Sequence, residues 1–154
     1  MIRVAVLTLL VACSHTDDAP PPSGEPLVNT AAIDDFRTTE RAALKTFNDA
    51  LGRQRANQID ETGLADAIER DVLPPWHQMR ARVDLANVPP ADREMYATLV
   101  RYIAERETAW RAYVAGLRST DDKAAAPHYA KYHEQNDAAD ADARKLGEAF
   151  SQLR

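Results

Sequence analysis

The chain has one cysteine, five glycines and few aromatic residues, 6% of its 154 positions. A lone cysteine excludes an internal disulfide, and without Cys-x-x-Cys-His there is no covalent c-type haem. With so few glycines there is no phosphate-cradling loop, and no Gly-x-Ser-x-Gly presents a serine nucleophile. No Glu-x-x-His occurs, so the di-iron carboxylate signature of helical bundles is missing. No apolar run approaches the ~20 residues that span a bilayer. β-Branched residues are scarce and alanines plentiful, which favours helix over sheet. An excess of positive charge is missing too: 19 basic residues stand against 24 acidic ones, a net charge of −5. Such a balance repels phosphates and argues against nucleic acid as a partner. It also argues against polybasic attachment to a membrane.

What is present begins at the N-terminus. Residues 1–12 carry one basic residue, Arg3, no acid, and an apolar-leaning run from Val4 to Leu10. A positive start, an apolar middle and a small residue at the cut make a compact export signal. Leu10-Val11-Ala12-Cys13 then resembles the lipobox of bacterial lipoproteins, over residues 1–13. The resemblance implies that the Cys13 sulfur receives a diacylglycerol and that a dedicated signal peptidase cuts before Cys13. It implies further that the new amine is acylated, with palmitate or a similar chain. Ser14 after the cysteine, rather than Asp, implies sorting to the periplasmic face of the outer membrane if the cell is Gram-negative. The chemistry suits the residue, because a thiolate is a strong nucleophile. Two or three acyl chains anchor stably where one is marginal, at ~0.8 kcal/mol per buried CH₂. Loss of Arg3 with the signal makes the mature chain one charge more acidic.

The division expected is a signal at 1–12, a lipidated Cys13 and tether at 13–30, and a helical domain at 31–154. The tether includes Asp17, Asp18, Pro20 to Pro22, Gly24 and Pro26. Proline blocks helix and nothing there builds a core. Extended, it reaches at most ~50 Å at ~3.1 Å per residue.

Four amphipathic helices follow. The first is expected at 31–57, capped by Thr30, with Asp34 and Asp35 in its first turn and a stripe of Ile33, Phe36, Leu44, Phe47 and Leu51. Glu40 occupies a step of that stripe. The second is expected at 61–86, capped by Asp60, with Leu64, Ile68, Val72, Trp76, Met79 and Val83 on one face. Pro74-Pro75 requires a kink or break there. Asn87-Val88-Pro89-Pro90 is a turn. The third spans 90–118, with Met95, Leu99, Ile103, Trp110, Tyr113 and Leu117 on one face and Arg106 in the seam. The fourth spans 121–153, with a possible break at Pro127, and its stripe is Tyr129, Tyr132, Asn136, Ala139, Ala143, Leu146, Phe150 and Leu153. One stripe per helix and short connections predict an antiparallel up-down-up-down four-helix bundle, an all-α fold.

The polar residues in the seams are the candidate chemistry. Counting layers along antiparallel hairpins places Glu40 opposite His77 and Arg144, with Asp140 one turn away. An ion pair to Glu40 is the plain account. A metal site from Glu40, His77, Asp140 and His133 is the sharper one. Arg106 layers near His133 and Glu69, which predicts a salt bridge. His128 and His133, five apart, point in different directions. A b-type haem held by Met79 or Met95 with His77 or His133 fits the residue types. The function expected is therefore display: a lipid-anchored bundle in the cell envelope with a structural, adaptor or binding role, no cofactor, and an unidentified protein partner. The carbonyls of Arg70 and Asp71 beside Pro74-Pro75 are the expected contact point. The competing reading is a metal- or haem-binding bundle in the periplasm.

Overall fold

The computed structural model describes residues 30–84 and 88–152. Cys13, the lipobox, the tether and Leu153 lie outside the described residues. The rest is helical, with no strand among the described residues. Helix α1 spans Thr30–Arg55, α2 Glu61–Ala67, α3 Leu73–Asp84, α4 Arg93–Leu117 and α5 Asp122–Gln152. A π-helical turn, Ile68–Val72, joins α2 to α3, and a 3₁₀ turn, Pro90–Asp92, leads into α4. Because α2, the π turn and α3 follow without a gap, the chain forms four helical rods. None of the described helices is long and apolar enough to cross a membrane.

The termini follow local chemistry. Asp60 caps α2 by accepting the Gly63 N–H at 2.7 Å, and Asp121 caps α5 by accepting the Ala124 N–H at 2.8 Å. Each satisfies a donor that the helix itself leaves free. Thr30 is already helical, so it is not the cap of α1, and the first turn holds no acid. The helix starts one residue earlier than expected, which moves Asp34 and Asp35 into its second turn. The chain leaves α1 through Asn57, the only non-glycine with positive φ (55°) among the described residues. That left-handed step suits asparagine.

The prolines break nothing. Pro127 lies inside an unbroken α5. Ahead of Pro74 the backbone opens into the π turn, with the Leu73 N–H bonded to the Ile68 carbonyl. Leu73 itself stays α-helical at φ −66°, ψ −42°, although a residue before proline is biased away from that region. Packing holds it there. Ile68, Val72 and Trp76 are completely buried, and Leu73 nearly so.

The core runs the length of the rods. Trp76 lies edge-on to Trp110, with ring centroids 5.0 Å apart, and to Tyr102 at 5.9 Å. Its indole N–H donates to the Ile103 carbonyl at 2.9 Å. Phe36 meets Tyr102 and Phe150, and Phe47 meets Trp110 and Tyr113. The stripes are where the spacing put them: Ile33, Phe36, Phe47, Leu64, Met79, Leu99, Ile103, Leu117, Leu146 and Phe150 are buried. Leu44, Leu51, Val83, Met95, Tyr113 and Ala143 pack against them half-buried.

Helix α4 is the hub. It packs against α2, α3, the π turn and α5, and its approach to α5 is the most extensive of all. Small residues allow that approach. Ala109, Ala112 and Gly116 are buried, and a Cβ on Gly116 would lie 2.5 Å from Cε1 of Tyr129. Along α4 the partners on α5 fall in number as α4 rises: Arg101 meets Asp142, Arg106 meets Asp140 and Asn136, and Tyr113 meets Tyr132 and Tyr129.

Candidate functional site

Three polar clusters surround α4. The first is built on Arg106, which the three-and-four spacing of α4 turns into the core, where it is 7% exposed. Burial works to lower its pKa, but Tyr102 and Asp140 outweigh it, and the guanidinium is held above its ordinary value. Nη1 donates to Asn136 at 2.5 Å and Nη2 to Asp140 at 2.6 Å. The guanidinium carbon lies 5.5 Å from the Tyr102 ring centre. The Tyr102 hydroxyl donates in turn to the half-buried Glu40 carboxylate. Burial, reinforced by Glu40, drives the Tyr102 phenol far above its usual range, so it stays a donor. The order Glu40, Tyr102, Arg106, Asp140 thus joins side chains of α1, α4 and α5.

The second cluster centres on Glu107, 5% exposed and facing α3. Arg111, one turn on, donates from Nε and Nη2 at 3.0 and 2.7 Å. Arg80 donates at 3.4 Å, and His77 Nδ1 stands 3.4 Å away. Burial pushes the carboxyl up, but the bonds from Arg111 and Arg80 win, and it lies below the usual carboxylate range. The third centres on Asp142, 3% exposed, which accepts from Arg101 at 2.5 Å and Lys145 at 2.8 Å. The Arg101 bond holds it low. Glu105 beside it is pushed up by burial and then by Asp142, and one of its oxygens is buried without a partner.

Beside the second cluster an open groove of about 610 Å³ runs between α3 and α4. Leu73, Pro74, Val114 and Ala115 supply its apolar wall, and His77, Arg111, Arg118 and Glu69 its polar rim. Arg118 is tied to Asp66 at 2.7 Å and Glu69 at 2.5 Å. Pro74 and Pro75 are exposed. Counted in α register, neither proline offers an N–H to the carbonyls of Arg70 and Asp71, whose side chains pair with each other at 2.7 Å.

These contacts revise the layer count. Glu40 meets Tyr102, not His77 or Arg144. Arg106 meets Asp140 and Asn136, not His133 or Glu69. The hairpin register itself holds, since Asp35 of α1 meets Arg82 of α3 at 2.9 Å, but His77 turns towards α4 and Glu107; α1 reaches α5 through Phe36 and Arg37 on Phe150, with no Cα pair within 8 Å among the described residues. Glu40, His77, Asp140 and His133 therefore go to different places. His77 is at Glu107, Asp140 at Arg106, and exposed His133 lies beside Tyr132 with ring centres 5.1 Å apart. Among the described residues no group of three or more His, Cys, Asp or Glu could hold a metal ion. Met79 is packed in the core while His77, two residues away, faces outward, and Met95 is half-buried at the start of α4. Glu107 went unnoticed in the sequence, although Glu107 and Arg111 have the spacing of a stabilising helical pair. Comparison with protein-family models, with curated proteins and with solved structures returned no match.

Proposed function

We propose that the chain is a lipid-anchored, extracytoplasmic helical bundle of up-down-up-down antiparallel topology, whose role is to display a binding surface for a protein partner. The descending order of contacts from α4 to α5 supports the topology. The lipobox resemblance at Cys13 supports the anchor, and the proline-rich stretch after it supports a spacer. The observation that carries the binding role is the groove beside Pro74. It combines apolar wall residues with arginine and histidine at the rim, beside two prolines that have no N–H to give the preceding turn. π turns recur at functional sites for the related reason that they free backbone groups from the helix.

Two measurements test this reading. Cys13→Ala should move the protein from the membrane to the soluble fraction; continued sedimentation with membranes rejects the anchor. A photo-crosslinking residue at Ala115, in the groove, should capture a discrete partner in cells, while one at Asp137, exposed on α5, should not. Equal labelling from both positions rejects the groove as the contact surface.

A further inference from the structure

Three of the chain's five tyrosines meet at one place between α4 and α5. Tyr113 of α4 stands 5.8 Å from Tyr129 and 4.8 Å from Tyr132 of α5, ring centre to ring centre. The Tyr113–Tyr132 pair is the closest aromatic ring pair among the described residues and, at 36°, the nearest to parallel. By contrast Trp76 and Trp110 cross at 76°, edge to face. Gly116 leaves the space for this approach, since a Cβ there would fall 2.5 Å from the Tyr129 ring. All three tyrosines are half-buried. Trp76, Trp110 and Met79, other oxidisable side chains of the core, are sealed at 1% exposure or less.

We propose that Tyr113 and Tyr132 are a site of oxidative coupling, at which a one-electron oxidant joins α4 to α5 through a dityrosine bond. Each phenol gives one electron to one equivalent of the oxidant and its hydroxyl proton to water, which reaches both half-buried rings. The two phenoxyl radicals carry their spin partly on the ring carbons beside the oxygen. One such carbon from each ring forms the new C–C bond. The hydrogens on the joined carbons then return to the oxygens, which restores two phenols. The protein ends two hydrogens lighter, with two electrons on the oxidant and two protons in water. Burial, first among the causes, holds both phenols above their usual range, so each enters the reaction neutral and its proton leaves with the electron.

Helix α5 is where such a bond matters. Among the described residues its backbone comes close only to α4, and it meets α1 through the Phe150 side chain. A bond between positions 113 and 132 closes a loop through the turn that joins the two helices, and a closed loop has less freedom to gain on unfolding. Oxidising attack thus fixes α5 on α4. Neither tyrosine lines the groove beside Pro74, so the coupling stands apart from the display reading.

The test is to illuminate dilute full-length protein with a ruthenium tris-bipyridyl photo-oxidant and persulfate, which withdraw single electrons. The expected product is a monomer two hydrogens lighter, with dityrosine fluorescence and a proteolytic map that joins Tyr113 to Tyr132. Its Tm should rise by about 10 °C, the scale of closing a loop of this length. Tyr132→Phe keeps the ring and the packing but should cut the yield of linked monomer by about tenfold or more, because the held geometry is lost. Tyr129→Phe should leave that yield unchanged. Equal yield from the Tyr132→Phe protein, or from the parent unfolded in urea, overturns the inference, because the fold then does not preset the pair. Covalent dimers in place of the linked monomer overturn it as well, and a link that leaves Tm where it was rejects the fixing of α5.

Discussion

An enclosed guanidinium is tolerable only while its charge is answered, and at Arg106 the answer is uneven. Asp140 is its one ionic partner among the described residues and is half exposed, so it can hydrate if abandoned; Arg106 cannot. Breaking a buried pair is costly when the charge left behind is the buried one, whereas an apolar replacement of similar volume is often tolerated. Asp140→Ala should therefore destabilise by about 2–3 kcal/mol, and Arg106→Met by less than about 1 kcal/mol. Urea unfolding with an unchanged m-value measures both; equal losses would show that the charge is not what the network answers. Arg106 was legible in the sequence because a single charge interrupts an otherwise apolar series at three- and four-residue steps. Its ring partner was not. Tyr102 adjoins Ile103 and falls outside that series, and only a helix packed on several sides buries such a neighbour. Glu40 was legible for the reason Arg106 was, but its partner depends on which helices lie side by side, which spacing within one helix does not encode.

Helices follow the local code except where packing overrules it. Stripes, the cap at Asp60 and connection lengths come from periodicity and capping chemistry, so they could be read in advance. The π turn could not. Pro74 predicts a fault in the helix, but whether it becomes a kink, a break or a widened turn depends on how much buried surface stands on either side, here Ile68, Val72, Leu73 and Trp76. The same competition decides the glycines. Gly52 and Gly147 have open space where a Cβ would go, so Gly52→Ala and Gly147→Ala should each stabilise by about 0.5–1 kcal/mol through helix propensity alone. Gly116→Ala gains the same propensity but drives a methyl group into the Tyr129 ring. It should lose about 1 kcal/mol net, given overpacking costs of about 1–3 kcal/mol. In a Tyr129→Ala background the sign should reverse. A Gly116→Ala protein that melts higher than the parent in both backgrounds would mean that α5 is free to move off α4.

For the molecule as a whole, the carboxylates packed against α4 give stability opposite dependences on pH. Glu107 and Asp142 have folded pKa values below the ordinary carboxylate range. Their contribution is therefore complete above pH ~4–5 and is lost as pH falls through the folded values. Glu105 runs the other way. Its folded pKa is raised, so it costs nothing when protonated, and its penalty grows as pH rises through the unfolded value towards the folded one. It faces Asp142 across the helix pair, with Arg101, Arg106 and Lys145 opposing the repulsion. Acid should thus unfold the bundle only below pH ~4, once Glu107 and Asp142 protonate and no longer answer the charges of Arg111, Arg101 and Lys145. Glu105→Gln removes a carboxylate that works against the fold. It should raise stability at pH 7 by removing the charge that burial and then Asp142 disfavour. The gain should fade to nothing by about pH 3, where Glu105 is neutral in both folded and unfolded chains. Thermal melts of the two proteins across that range read the difference directly; a gain independent of pH would assign the effect to packing rather than to charge.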